Sequence, residues 1–282
     1  MLKRTSIGMT LIACLALAAC GGDTSSDPSS QAAQKEQNPV ERFKVASAKA
    51  QGWETLRFSM SMKSASLGVI SGEGEQDMAR QKLRMTMTMP APGTPTGTMA
   101  MEQIMAGTNI YMKSLVFNEL LEGGKTWVKF DLMQMGELTG IDIAAMFDQT
   151  QIDPQGPVSF LGGAGGDIEE LGTELVRNTP TTHYRFTVDL AASAAALPPD
   201  LAEAVKPLFE EMPATFPAEA WMDEDNMVRR IRYSMALPGE EGHPAESIDT
   251  QMEFFDFGAT VEIAEPGPAE FVDLGQILQE AG

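Results

Sequence analysis

The residues able to do covalent, acid–base or metal chemistry are few and scattered. Two Cys and two His are present in 282 residues. Two Cys rule out a disulfide framework and a multi-Cys zinc site, and two His leave little room for a His-rich metal centre. No Gly-x-Ser-x-Gly, His-Glu-x-x-His or Cys-x-x-Cys motif occurs. His183 falls on the polar side of an alternating segment and reads as a solvated or cross-strand residue; His243, in Gly239-Glu240-Glu241-Gly242-His243-Pro244, reads as turn material. Asp223-Glu224-Asp225-Asn226 lacks the Gly and distal Glu of a calcium loop, and a hairpin turn accounts for it. The run Gly162-Gly163-Ala164-Gly165-Gly166 lacks the spacing of a phosphate cradle and reads as a helix stop or mobile loop. Arg229, Arg230 and Arg232 are the densest basic group, which pairing with neighbouring carboxylates explains. Arg229 shares the face of Ile231 near a strand end, where it is also a candidate contact for an anionic headgroup. These readings imply no catalytic residue, no metal and no cofactor.

The one covalent site is near the start. Lys3 and Arg4 precede an uncharged run from Ile7 to Ala19, too short to span a bilayer, which needs roughly 20 apolar residues. The run ends in Leu17-Ala18-Ala19-Cys20, which resembles a bacterial lipobox. In such signals the Cys receives a diacylglyceryl thioether and becomes the first mature residue. Leu11-Ile12-Ala13-Cys14 is a competing register with a shorter apolar run. After Cys20, Gly21-Gly22-Asp23-Thr24-Ser25-Ser26-Asp27-Pro28-Ser29-Ser30 is a flexible polar tether. The expected organisation is a signal peptide over 1–19, a lipidated Cys and tether over 20–37, and one domain over 38–282. Two acyl chains suffice for stable anchoring, at about 0.8 kcal/mol per buried methylene.

Charge sharpens this. The formal net charge is −20, from 20 Lys+Arg against 40 Asp+Glu. That argues against a nucleic-acid partner, which needs a basic face to displace counterions. Loss of Lys3 and Arg4 takes the charge to −22 and loss of Cys14 leaves no free thiol, which suits the extracytoplasmic face of a cell membrane. So acidic a body is repelled by an anionic surface, so lipid must hold it there.

The positioning elements follow from periodicity. Asn38-Pro39-Val40-Glu41 reads as N-cap, Pro at N1 and Glu at N3, opening a helix to about Gln51 with Phe43, Ala46 and Ala50 on its apolar stripe. Period-two alternation then predicts strands. Leu56, Phe58, Met60 and Met62 alternate with Arg57, Ser59, Ser61 and Lys63; a glycine-punctuated segment from Leu67 to Met78 pairs with them. Leu83, Met85, Met87 and Met89 form the next strand, and Met99 and Met101 follow a loop over 90–95. Strands over 108–113 and 127–132 are separated by Gly123-Gly124. Helices are expected around Ile143, Met146 and Phe147, and from Asp153-Pro154 through Val158 and Leu161. In the second half, strands are expected over 171–177, through Tyr184, Phe186 and Val188, over 216–222, and through Ile231, Tyr233, Met235 and Leu237. Helical segments over 191–197 and 199–212 lie between them, and a last strand runs over 248–257 with Met252, where adjacent Phe254 and Phe255 suggest a bulge. Roughly ten strands with one apolar and one wet face predict a single α+β domain on an antiparallel sheet.

Methionine is the compositional anomaly. Twenty Met outnumber all nineteen aromatics (13 Phe, 3 Trp and 3 Tyr), and about half of the Met fall on the apolar side of predicted strands. Strand interiors usually favour Val and Ile. Met is unbranched and specifies a core poorly, but it repacks around variable contents. Two readings stand: a plain core of biased composition, or the wall of a cavity for a long, shapeless, apolar guest.

Several stretches, in order, resemble the actinobacterial lipoproteins grouped with mycobacterial LppX and LprG. Besides Cys20 and the tether these are Gly107 to Met112, Trp127-Val128-Lys129-Phe130-Asp131-Leu132, Glu170-Leu171-Gly172-Thr173-Glu174, Thr182-His183-Tyr184, Val188-Asp189-Leu190 and Val228-Arg229-Arg230-Ile231-Arg232-Tyr233. The resemblance implies a LolA-like half-barrel, a strongly curved antiparallel sheet closed by a few helices over a hydrophobic cavity. It also implies binding and transfer of acylated lipids or glycolipids in the envelope, without enzymatic activity. Alternation, not the resemblance, nominates the lining: Leu56, Phe58, Met60, Met62, Leu83, Met85, Met87, Met89, Met99, Met101, Tyr184, Phe186, Val188, Ile231, Tyr233, Met235, Leu237 and Met252. Two other readings stay open: a sensor or interaction module binding an envelope protein, and a hydrolase, which lacks a nucleophile–His constellation.

Overall fold

The computed structural model describes residues 38–50, 52–94, 96–117, 121, 123–134, 158, 161, 164–195, 213–237 and 245–276. The leader, Cys20, the tether, His243 and nearly all of the helices expected over 139–161 and 199–212 lie outside the described residues.

Helix α1 (Pro39–Ala50) opens as its sequence dictates. Asn38 Oδ1 accepts the Val40 N–H at 3.0 Å, Pro39 occupies a position whose N–H would have no partner, and Glu41 and Lys49 complement the dipole at the two ends. Phe43, Ala46 and Ala50 are buried. A short helix, α2 (Leu190–Ala195), follows the eighth strand, with Asp189 Oδ1 accepting the N–H groups of Ala191 and Ala192.

Twelve strands form one sheet. They are β1 (Thr55–Ser64), β2 (Gly68–Asp77), β3 (Lys82–Pro90), β4 (Thr98–Ala106), β5 (Asn109–Ser114), β6 (Trp127–Asp131), β7 (Ala164–Val176), β8 (Thr179–Asp189), β9 (Thr215–Met222), β10 (Val228–Leu237), β11 (Glu246–Phe255) and β12 (Phe271–Asp273). The order is β12-β6-β5-β4-β3-β2-β1-β11-β10-β9-β8-β7. Two meanders, β1 to β6 and β7 to β11, are therefore joined through β1 and β11, and the two end strands do not meet. The result is an unclosed curved sheet with few helices; alternation led us to expect the sheet, and the resemblance its curved half-barrel form.

The structure corrects three details. Strand β12 lies parallel to β6, with Phe271 opposite Trp127, so the sheet is not wholly antiparallel. The glycine run is not a helix stop or loop throughout: Ala164, Gly165 and Gly166 begin β7, and Gly165 pairs with Thr187. The bulge expected at Phe254-Phe255 is absent from the register of β11 with β1, where Phe254 faces Phe58 and Phe255 faces Arg57. Register shifts occur instead between Val228 and Arg230 on β10, opposite Met222 and Trp221, and on β7 between Gly165 and Glu169 and between Glu170 and Gly172. Successive Phe residues do not break the pleat because both faces use an aromatic there. Phe254 is buried in the core, and Phe255 lies under the Arg177 guanidinium at 3.7 Å.

The main core lies on the face that carries α1, here the inner face. Phe43 makes edge contacts with Tyr184 (5.5 Å) and Phe186 (4.9 Å). Val158 and Leu161, from the connection between β6 and β7, are buried in the same cluster. A smaller cluster on the outer face joins Ile104, Ala106, Tyr111 and Trp127 to Val261, Ile263 and Phe271, so the extended segment after β11 covers that side of β4 to β6.

Candidate functional site

Pairing aligns the inner-face residues into rows. One row crosses nine strands: Ser114, Met101, Met87, Gly72, Met60, Met252, Ile231, Ala220 and Tyr184. A second runs Met112, Gln103, Met85, Gly74, Phe58 and Phe254. A third joins Ile70, Met62, Thr250, Tyr233, Ala218 and Phe186. Leu56, Leu83 and Met105 share the row with Gln76, Met89 pairs with Met99, Met235 with Ile248, Val188 with Phe216, and Leu237 with Glu246.

The residues nominated by alternation thus share one face, but they fall into two environments. Leu56, Phe58, Leu83, Tyr184, Phe186, Val188, Ile231 and Met252 are buried in the packed cluster with α1. Met60, Met62, Met85, Met87, Met89, Met99, Met101, Tyr233 and Met235 are only half-buried. The side chain of Leu237 lies outside the described residues. Strand β2 explains part of this division. Its inner positions at Gly72 and Gly74 carry no side chain, and Phe58 and the Met60 and Met87 side chains lie over them. A Cβ at Gly74 would stand 2.5 Å from Phe58 Cζ and 2.6 Å from the Arg84 carbonyl oxygen.

Polar groups also stand on this face, and the alternation argument passed over them because it counted only apolar residues. Thr250 is buried and bonds the Tyr233 hydroxyl, while burial pushes that phenol up. Gln103 sits between Met85 and Met112. Gln76 is buried with its Oε1 unpartnered. The signal for all three was their phase in the strand. The same phase also marks Ile70, Met105 and Met112, which continue the stripe.

Arg229 lies at the α1 end of the sheet. Its Nε donates to Asp223 Oδ2 at 2.7 Å, and its guanidinium sits 4.9 Å from the Phe257 ring. Asp223 is buried and its other oxygen accepts the N–H groups of Asp225 and Met227, so the acidic quartet is a tight turn with Asn226 at φ 60°. Arg42 from α1 fastens onto this turn, donating to Asn226 Oδ1 (2.6 Å), the Asp223 carbonyl (2.8 Å) and the Tyr184 hydroxyl (2.7 Å).

His183 is on the outer face. Its Nδ1 is 3.0 Å from Glu174 Oε1, its Nε2 is 3.6 Å from Glu219 Oε2, and its ring stacks on Trp221 at 4.0 Å. Trp221 Nε1 donates to Glu174 Oε2, and this bond, ahead of the His183 charge, holds the Glu174 carboxyl below the usual range. Glu174, Trp221 and Glu219 occupy β7 and β9, so His183 cross-links three strands. Arg230 pairs with Glu253 and Arg232 with Glu219, as their spacing suggested.

No known protein-family profile matches the sequence. The chain is 29% identical over 167 residues to an uncharacterized 31.2 kDa protein from the rplA–rplJ intergenic region of Streptomyces griseus. That match takes in 57% of this chain and 52% of the relative, so the chain spans about half the length of the curated protein it matches. Among solved structures it is similar to LprF from Mycobacterium bovis, with a TM-score of 0.48 and 14% identity over 81% of this chain and 97% of that one. It is also similar to the Mycobacterium tuberculosis lipoprotein LppX, with a TM-score of 0.45 and 14% identity over 80% of this chain and 98% of that one. A third likeness is to the Pseudomonas aeruginosa MucA/MucB complex, with a TM-score of 0.35 and 10% identity over 83% of this chain and 62% of that one.

Proposed function

We propose that the chain is an envelope lipoprotein, anchored through lipid on Cys20 after loss of residues 1–19, tethered by residues 20–37, whose domain over 38–282 binds and transfers acylated lipids on its inner face. The observation that supports this reading is the half-buried methionine field of β1, β3 and β4. A core gains from Val and Ile because branched side chains fix one packing. Here Met60, Met62, Met85, Met87, Met89, Met99 and Met101 lie side by side and stay half-exposed in the folded chain. Strands spaced about 4.8 Å apart make the field from β1 to β4 roughly 15 Å wide, and over the bare inner positions of β2 it is filled by Phe58 and by the movable Met60 and Met87 side chains. An acyl chain laid there is driven by burial at about 25 cal/mol per Å² of apolar surface, and flexible Met side chains repack around its shape. Gln103, Tyr233 and Thr250 offer hydrogen bonds to an ester or hydroxyl along the way. Binding of this kind needs no nucleophile, and His183, the one described histidine, is buried on the outer face with its Nδ1 on Glu174.

Native mass spectrometry of the chain from residue 20, carrying Cys20→Ala, tests the reading. Acyl-lipid adducts are expected to co-purify, and Met60→Glu with Met87→Glu should remove them while the protein stays folded, because both sites are half-exposed. Repeated recovery of a folded, lipid-free protein would sink the proposal. A stoichiometric protein in place of lipid would favour the interaction-module reading.

A further inference from the structure

Among the described residues of this acidic chain most bases are paired, and two that are not stand together. Every described arginine except Arg42 has a carboxylate within 4.0 Å. Arg42 is spent on the turn after β9. Lys44, Lys82 and Lys129 are paired as well; Lys49, Lys63, Lys113 and Lys125 have no such partner among the described residues, although the chain carries twice as many acids as bases, and of these four Lys113 and Lys125 share a site. Both line one recess of about 500 Å³ at the end of β5. Ser114, Leu115, Leu121 and Thr126 share its wall. Glu102 lines it too, but its Oε1 takes both Nε and an Nη of Arg84. Lys113 Nζ lies 5.6 Å from the Trp127 ring centroid, and the Ser114 hydroxyl is buried without a hydrogen-bond partner.

The rim of this recess is apolar. Leu115 and Val116, in the short 3-10 turn that follows β5, are 68% and 57% exposed. Adjacent large apolar side chains in water, beside unpaired ammonium groups and hydroxyls, match the interface of a bilayer. There apolar tips enter the acyl boundary, and lysines reach back to phosphate. The overall charge of −20 does not forbid this. Charges beyond about 8 Å are largely screened at physiological salt, so the local pair decides.

We propose that this corner is a membrane-docking surface, in which Lys113 and Lys125 take the phosphate of an anionic phospholipid headgroup while Leu115 and Val116 enter the bilayer beside it. The surface is separate from the inner-face methionines and uses different residues, so it stands or falls independently of the function proposed above.

The test removes the anchor. The described fold begins at Asn38, so the chain from residue 20 with Cys20→Ala keeps the folded body whole. Its flotation is measured with vesicles of phosphatidylcholine alone and with vesicles containing about one third phosphatidylglycerol. Wild type should partition about tenfold more onto the anionic vesicles at low salt, and the preference should fade as salt rises. Lys113→Gln with Lys125→Gln should erase the preference without altering the melting temperature, since neither residue has an ion pair among the described residues. Leu115→Ser with Val116→Ser should reduce binding to both vesicle types. Equal partitioning of wild type, or a preference that survives the lysine changes, overturns the proposal. So does binding that appears only after Glu119→Gln and Glu122→Gln, which would assign the lysines to the chain's own acids. Inorganic phosphate protecting the lysines from acylation while vesicles bind nothing would identify a soluble-anion site and also overturn it.

Discussion

At the scale of single residues, close contact and buried charge set the consequences. Gly74→Ala pushes a Cβ against the Phe58 ring and a backbone carbonyl, and the carbonyl cannot swing away. A loss of about 1–3 kcal/mol is expected in urea unfolding. Gly72→Ala meets the Thr86 carbonyl oxygen at 3.0 Å and otherwise flexible methionine, so it should cost distinctly less. A Gly72 variant as damaged as Gly74 would refute this account of β2. Asp223→Ala removes three bonds at once, to Asp225, Met227 and Arg229, and should cost about 2–4 kcal/mol by the same measurement. Sequence alone made this quartet a turn, and it is one. That Asp223 also holds Arg229 could not be read from spacing, because the pair depends on where the turn returns the chain.

Glu253 stabilises the fold in its charged form. Burial pushes its carboxyl up, but the bonds from Arg230 and Arg177 outweigh burial and hold it below the usual carboxylate range. A folded-state value below the unfolded one contributes stability that is complete above the unfolded pKa of about 4.3 and is lost as pH falls through the folded value. The stability gap between wild type and Glu253→Gln should therefore be constant near neutrality and close below about pH 4. A gap that widens on acidification would contradict the ion-pair assignment.

At the scale of elements, α1 shows how a locally written helix becomes a tertiary part. Asn38, Pro39 and Glu41 specify its start, and the stripe of Phe43, Ala46 and Ala50 specifies its buried face. Phe43→Ala leaves a cavity against Tyr184 and Phe186 and should cost about 3–5 kcal/mol in denaturant unfolding. A change under about 1 kcal/mol would mean the helix is not integral to the inner-face core. The strands β1 to β3, β5 and β9 to β11 were legible within two residues or so because one face is apolar and the other wet, whereas β4 runs on to Ala106 and β8 begins at Thr179, four or five residues beyond the alternation that marked them. Strand β12 was missed because three residues carry no period, and its partner β6 is distant in sequence. The start of β7 was missed for a different reason: Gly165 and Gly166 have no side chain to alternate, and only pairing with β8 makes them strand.

At the scale of the whole molecule, the inner face has one packed half and one half-open methionine field. Peroxide should separate them. Met60, Met62, Met87, Met89, Met99 and Met101 should form sulfoxides well before Met222, which is fully buried, as read by peptide mass spectrometry. If acylated lipid occupies the field, adding it should slow oxidation of the first group only. Uniform oxidation, or no protection by any acyl lipid, would count against the proposed binding face.

The sequence by itself determined the secondary structure of most of the described chain, the side of each strand that avoids water, the start of α1 and the lack of a catalytic motif. These are local properties, set by period and by the chemistry of adjacent residues. Tertiary structure decided that β1 pairs with β11 and so joins two meanders about 190 residues apart in sequence. It also decided that α1 covers one half of the inner face and leaves the methionines of the other half-exposed, and that Lys113 and Lys125 stand together with no ion pair among the described residues. Those outcomes depend on which distant segments arrive at the same place, and no local pattern encodes that.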